Sequence, residues 1–157
     1  LYDAFLNGKL HRNFMGYSSS KTQLMISLGV SSISDSWYSF AQNVKTIEEY
    51  YQILDTNQIP VFRGHLLTDE DLTIRRHILN LMCQFETTWS NKKDYFNEIP
   101  EIVLQLKEME KDGLVHFIPN GIQVTEAGKP FVRNICMAFD LLLKRKAPDT
   151  ALFSMTI

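Results

Sequence analysis

The chain is expected to be mainly α with a small amount of β, and three observations in its 157 residues carry that expectation. From Thr46 onward, apolar residues recur at intervals of three and four, the period of an amphipathic helix. The pair Asn120-Gly121 lies between two short apolar stretches and reads as the turn of a β-hairpin. Residues 10–45 have another texture, with a Ser-Ser-Ser turn, one apolar run and a second Ser-rich stretch, and read as strand and loop.

Taken in order, Leu1, Ala4, Phe5 and Leu6 form an apolar helical stripe that Asn7-Gly8 ends. The chain opens inside that helix and without Met, so it is expected to be a piece of a longer protein; a processed or tag-cleaved N-terminus is the other explanation. Leu10 to Tyr17 mixes basic and aromatic side chains, and Ser18-Ser19-Ser20 turns the chain. Leu24 to Val30 reads as a strand ended by Gly29, and Ser31 to Ser36 as a loop before Trp37-Tyr38-Ser39-Phe40. A strand feeding a Gly/Ser loop brings backbone groups close to a ligand, and equally makes an ordinary turn. Thr46 caps a helix through Asp55, with Glu48 and Glu49 well placed in its first turn. Ile59 to Phe62 reads as an extended link.

Thr68-Asp69-Glu70-Asp71 is an acidic capping box ahead of a long helix that places Ile74, Ile78, Leu81, Met82 and Phe85 on one face. A third helix follows Pro100, with Val103, Leu106 and Met109 inward and Gly113 as its stop. The hairpin pairs Leu114 to Ile118 with Ile122 to Val124, its Asn-Gly pair suiting positive φ. Thr125 caps a final helix with Phe131, Ile135, Ala138, Phe139 and Leu142 buried, and Lys144-Arg145-Lys146 complements the dipole at its end. The tail, Ala147 to Ile157, is expected to pack back. Helix, helix, hairpin, helix is the order of a winged-helix module, so residues 46–157 are read as a helical, winged-helix-like domain preceded by a strand-and-loop segment, 1–45.

Composition narrows the function. Hydrophobic residues make up 45% and charged residues 22%, which excludes disordered and low-complexity classes. The net charge of −2 gives no bulk attraction to nucleic acid or to an anionic membrane. No apolar run approaches the roughly 18 residues of a membrane span. A DNA-reading helix needs Arg, Lys, Asn or Gln toward base edges. The candidate helix instead sets Glu101, Glu108, Glu110 and Asp112 against Lys107 and Lys111, and the hairpin tip 117–121 has no cation. The two cysteines, Cys83 and Cys136, suit a reducing compartment. Neither they nor His11, His65, His77 and His116 have metal-ligand spacing. There is no phosphate-binding Gly-rich loop and no nucleophile elbow.

Five stretches carry a resemblance: Leu10-His11-Arg12-Asn13-Phe14-Met15-Gly16-Tyr17; Leu28-Gly29-Val30-Ser31-Ser32-Ile33-Ser34; Tyr38 to Asn43 with Ala41-Gln42-Asn43; Arg75 to Phe85 with Leu81-Met82-Cys83; and, most specific, Gly121 to Asp140, GIQVTEAGKPFVRNICMAFD. Together they closely resemble the C-terminal third of the oxygen-independent coproporphyrinogen III oxidases. The resemblance implies a radical S-adenosylmethionine oxidoreductase of porphyrin and haem biosynthesis. Such an enzyme converts coproporphyrinogen III to protoporphyrinogen IX by oxidative decarboxylation of two propionates to vinyl groups. It implies a [4Fe–4S] cluster on a C-x-x-x-C-x-x-C motif and a 5′-deoxyadenosyl radical that takes hydrogen from the propionate. That motif lies in the N-terminal half of the family's sequence and is absent from these residues, so no cofactor is expected on this piece alone.

By the same resemblance, residues 1–45 are the end of the catalytic barrel, and 46–157 are the C-terminal domain that covers the active site. The implied protein is a cytoplasmic monomer whose partners are coproporphyrinogen III and the N-terminal radical S-adenosylmethionine barrel of the same chain, with no nucleic acid or membrane. Phe14, Met15 and Ile33 match positions that contact S-adenosylmethionine in the family; none is implied to be catalytic or metal-binding. Met15 stands where some relatives have Gln, which removes an amide contact, and core packing is the other reading of Phe14 and Ile33. The related haem chaperones usually carry a Tyr-Trp and a Gly-x-Gly-Ala-His-Ser pattern where this chain has Phe14-Met15-Gly16-Tyr17 and Gly29 to Ser34, which favours the oxidase. A winged-helix binding module without catalysis is the third reading. A [4Fe–4S] cluster needs at least three nearby thiolates. After anaerobic reconstitution with iron and sulfide, this chain alone is therefore expected to be colourless and inactive; stoichiometric iron–sulfur absorbance would contradict that.

Overall fold

The computed structural model describes residues 1–146; the expectation for the tail from Ala147 lies outside them, as does that for the Leu142 side chain. Two compact units divide the chain, Leu1–Leu72 and Thr73–Ile157. The sequence reading divided it after residue 45. Strand pairing accounts for the difference, because it ties the chain up to residue 66 back to strands that precede residue 45.

The first unit opens with helix α1 (Tyr2–Leu6), stopped at Gly8 with φ +63°, and a hairpin of β1 (His11–Asn13) and β2 (Gly16–Ser18). Strands β3 (Leu24–Met25), β4 (Ile33–Ser36), β5 (Ser39–Asn43) and β6 (Val61–Leu66) then form an antiparallel sheet in that order. Helix α2 (Ile47–Asp55) joins β5 to β6, and the Thr46 hydroxyl accepts the Glu49 N–H at its start, as the sequence predicts. The expectation of little β is corrected here: the described residues hold nine strands in three sheets beside six α-helices.

Two local expectations fail with it. Only Leu24–Met25 of the apolar run is strand, and Ile26 and Leu28 are 70% and 84% exposed. The Ser-rich stretch expected to be loop becomes β4 from Ile33. Its polar side chains are absorbed locally: the Ser27 hydroxyl donates to the Ile33 carbonyl (2.7 Å), and the Ser34 hydroxyl accepts the Ser27 N–H (3.1 Å). Pairing with β5 then decides the conformation that propensity opposed.

Helix α3 (Asp69–Gln84) begins with the predicted box made reciprocally. The Asp71 N–H donates to the Thr68 hydroxyl (3.2 Å), and Asp71 Oδ2 accepts the Thr68 N–H (2.9 Å) and hydroxyl (2.9 Å). Burial works to raise the Asp71 carboxyl, but the Thr68 donors and His65 outweigh it and hold it below the ordinary carboxylate value.

In the second unit β7 (Glu86–Thr88), helix α4 (Ile99–Lys111), β8 (Val115–Ile118) and β9 (Gly121–Val124) follow, with sheet order β7-β9-β8. Leu81 of α3, Ile102 and Leu106 of α4, and Ile122 of β9 are fully buried, while Ile78, Val103 and Met109 are only half-buried. At the hairpin tip Asn120 alone takes positive φ (+49°). Gly121 is needed for another reason, since a Cβ there would stand 2.5 Å from the Thr87 carbonyl oxygen.

The single final helix is also corrected. The Thr125 hydroxyl accepts the Gly128 N–H (3.0 Å), closing a turn, and a 3-10 turn (Lys129–Phe131) follows before α5 (Val132–Met137) and α6 (Leu141–Lys146). Pro130 brings no N–H to a helical ladder, and a Cβ on Gly128 would collide with the Leu114 carbonyl oxygen. Phe131, expected inside, is 48% exposed, whereas Ile135, Ala138 and Phe139 are buried.

The polar centre of this unit is His77, 1% exposed. Its Nε2 lies 2.7 Å from the Asp94 carbonyl, which can only accept, so Nε2 carries the proton and Nδ1 accepts the Thr87 hydroxyl at 2.8 Å. Phe139 stacks on the ring at 5.2 Å, with Phe96 beside it at 5.9 Å. Burial pushes the imidazole below its ordinary value, more than the Asp94 carbonyl and charge restore, and Arg76 lowers it further. A folded-state pKa depressed in this way means the unfolded chain binds the proton first as pH falls. Stability is therefore expected to be full above about pH 6.5, the ordinary histidine value, and to drop below it. Urea midpoints measured between pH 8 and 5 check this, and the acid-side drop should flatten in His77→Gln.

Candidate functional site

The site the sequence points to is one face of the β4–β5–β6 sheet. Successive side chains of a strand alternate between faces, and residues paired across strands share one. Ile33 pairs with Gln42 and Gln42 with Arg63; Asp35 pairs with Phe40 and Phe40 with His65. These six residues therefore share a face in two rows.

Phe14 reaches the same face from the β1–β2 hairpin. Its ring meets Phe40 edge-on, with centroids 5.1 Å apart and planes at 88°. Phe14 and Met15 are the two loop residues of that hairpin. The loop is closed by Gly16 at φ +126° and by the Met15 N–H donating to Asn13 Oδ1 at 2.9 Å. Ile33 is half-buried and Phe14 53% exposed, so both present apolar surface. Met15 is left 84% exposed at the tip. Of the three expected residues, then, the sheet brings Phe14 and Ile33 onto one face and leaves Met15 in solvent.

The approach to Ile33 is held by a buried amide. Asn43 Nδ2 donates to the Gly29 carbonyl (2.9 Å) and to the Ser32 hydroxyl (3.1 Å), and that hydroxyl donates to the same carbonyl (2.7 Å). The Tyr50 hydroxyl of α2 accepts the Gly29 N–H at 3.1 Å. Gly29 and Ser31 both take left-handed φ, +98° and +58°, a path these bonds compensate. Gln42 donates from Nε2 to the Ser31 carbonyl (3.2 Å), and its Oε1 accepts the Arg63 Nε–H (2.9 Å).

Sequence reading missed Phe40, Gln42 and Arg63 as members of this face. Gln42 lies in one of the strings that carry the resemblance, but no motif marks its side chain. The signal that finds all three is strand register, which the sequence does not print.

The chemistry available is recognition: an apolar platform edged by an amide and a guanidinium. Among the described residues no three His, Cys, Asp or Glu side chains could hold a metal ion, and Cys83 and Cys136 are both buried. An iron–sulfur cluster does not fit the residues present; an adenosyl group fits the Phe14, Phe40 and Ile33 surface.

Comparison with known proteins bears on the same stretch. Relatives named oxygen-independent coproporphyrinogen III oxidase are 40% identical in Escherichia coli K12, over 89% of this chain, and 33% identical in a Synechocystis strain, over 96% of it. A solved structure of the E. coli coproporphyrinogen III oxidase, described as a radical SAM enzyme, matches with a TM-score of 0.83 and 38% identity over 90% of this chain. The chain is homologous to oxygen-independent coproporphyrinogen III oxidase. No family model matches it. It spans about a third of the length of these oxidases: 32% of the E. coli protein, 34% of the Synechocystis protein and 34% of the solved chain.

The oxidase likeness and the geometry make Asn43 a residue to test. Asn43→Ala removes two bonds donated by a buried amide, a loss of about 1–3 kcal/mol. It is expected to lower the urea midpoint and to speed amide exchange at residues 29–33, while exchange at Leu81 and Ile102 is unchanged.

Proposed function

We propose that this chain is the part of an oxygen-independent coproporphyrinogen III oxidase that completes the S-adenosylmethionine site and covers the substrate. The observation that carries the reading is the joint match in sequence and fold, 38–40% identity with a TM-score of 0.83 over nine-tenths of the chain. The intact enzyme oxidatively decarboxylates two propionates of coproporphyrinogen III in haem biosynthesis. Its [4Fe–4S] cluster is held by a segment outside these residues, and this chain alone is inactive.

Residues 1–45 are read as the end of the catalytic barrel, and 46–157 as the winged-helix-like domain after it. Helices α3 and α4 with the β8–β9 hairpin, the order that module requires, support the second part. Surface chemistry supports a covering partner within the same protein. Leu24, Ile26, Leu28, Ile59 and Leu66 are 61–84% exposed in the first unit, apolar area of the kind that marks an interface. The rest of the oxidase, with its N-terminal barrel, is the occupant we assign. A monomeric, cytoplasmic enzyme that binds neither nucleic acid nor membrane accords with the near-neutral charge. Among the described residues no helix is long and apolar enough to cross a membrane.

Phe14 and Ile33 pack against the adenosyl group, exclude water from it and offer no competing hydrogen bond; Met15 borders it without the amide some relatives have. Bound S-adenosylmethionine supplies the hydrogen-abstracting radical, and the residues of this chain hold and shield it.

Anaerobic assay of the intact protein with coproporphyrinogen III, S-adenosylmethionine and a reductant tests the reading. Formation of protoporphyrinogen IX supports it, and haem transfer without turnover overturns it in favour of a chaperone. Within that assay Ile33→Asp is expected to abolish turnover at an almost unchanged melting temperature. An unpaired carboxylate against the adenosyl group costs several kcal/mol, and about 1.4 kcal/mol is already tenfold in affinity. Leu81→Asp, at a fully buried position, should instead lower the melting temperature.

A further inference from the structure

We propose that Arg63 is a carboxylate-binding residue: its guanidinium takes the carboxylate of a ligand whose less polar part lies over Ile33 and Phe14. The proposal rests on the reading of that face as the S-adenosylmethionine site and adds to it a polar anchor.

Three features of the sheet carry it. Ile33, Gln42 and Arg63 are consecutive partners across β4, β5 and β6, so the backbones of Ile33 and Arg63 lie about 10 Å apart, two strand spacings. The guanidinium is also oriented. Arg63 Nε donates to Gln42 Oε1 at 2.9 Å, and Gln42 is itself pinned by donating to the Ser31 carbonyl. Holding Nε leaves the two Nη groups to donate to a further partner, and a carboxylate or phosphate is the acceptor that suits such a fork.

Finally, neither Nη has a partner among the described residues. The other ionisable side chains of this sheet face have partners: His65 lies 3.4 Å from Asp71, and Asp35 is buried with partners of its own. An oriented, unneutralised guanidinium one residue from an apolar platform suits a ligand that is apolar at one end and anionic at the other. Two reactants of the proposed enzyme carry such a carboxylate: S-adenosylmethionine in its amino-acid part, and the tetrapyrrole in its propionates.

Equilibrium titration of the intact protein with S-adenosylmethionine, and separately with coproporphyrin III as a stable tetracarboxylate, tests the proposal. Arg63→Ala is expected to weaken one of the two ligands by about ten- to a hundredfold, the range of a charge-assisted pair. The ligand that weakens names the source of the carboxylate. Arg63→Lys should recover part of the loss, and added salt should narrow the difference between wild type and Arg63→Ala. Unchanged affinity for both ligands in Arg63→Ala overturns the proposal. If Arg63→Ala lowers the melting temperature, Arg63→Gln, which keeps a donor toward Gln42, replaces it under the same two outcomes. Ile33→Asp separates this proposal from the reading beneath it. Loss of S-adenosylmethionine binding there, with both ligands unaffected by Arg63→Ala, defeats Arg63 alone. A loss in Arg63→Ala with none in Ile33→Asp defeats the adenosyl placement and keeps the carboxylate site. A wild-type protein that binds neither ligand overturns both.

Discussion

Strand β5 is hydrogen-bonded along both edges, to β4 and to β6, and the first unit depends on that double pairing. Val44, which follows it directly, and Pro60 are the buried aliphatic side chains among the described residues of that unit. Little hydrophobic burial is available there to fix a conformation, so backbone ladders and side-chain bonds to backbone do so. Two-stranded ribbons are marginal in water, whereas four paired strands persist. The left-handed residues Gly29 and Ser31, the amide of Asn43 and the hydroxyls of Ser27 and Ser32 are all consequences of routing polar chain onto the edge of β5.

The second unit follows the opposite logic. Leu81, Ile102, Leu106, Ile122, Ile135 and Phe139 are fully buried, and burial at roughly 25 cal/mol per Å² of apolar surface is its main support. Its polar group at the centre, His77, is tolerated because both ring nitrogens are satisfied and an aromatic ring stacks on it. The histidine also ties α3 to β7 through Thr87 and to the chain ahead of α4 through Asp94. It thus specifies how these pieces meet, which apolar contacts alone leave degenerate.

The candidate face is a product of the first kind of architecture. A sheet with few buried side chains leaves both aliphatic and aromatic groups on its surface, and register sets them beside an amide and a guanidinium. None of these groups is a strong acid, base or nucleophile at neutral pH. The chemistry such a face offers is recognition, through apolar contact and hydrogen-bond donors.

Much was legible in the residues alone. The Thr46 and Thr68 caps, the Gly8 and Gly113 stops and the Asn120 turn are local, because each depends on bonds within a few positions or on one left-handed residue. The strings around Phe14, Ile33 and Gly121 carried the likeness to the oxidases, since such strings are read without knowing the fold. What lay beyond the sequence was every feature decided by distant pairing. The Ser-rich stretch from Ile33 became a strand only because β5 lies beside it. The apolar run after Met25 stayed exposed, and the final helix started late, at Val132, after a turn in which Gly128 lies against the Leu114 carbonyl. The row Ile33–Gln42–Arg63 joins residues up to 30 positions apart. Side-chain alternation is a two-residue code whose phase is set only when strands pair, so that row belongs to the tertiary structure.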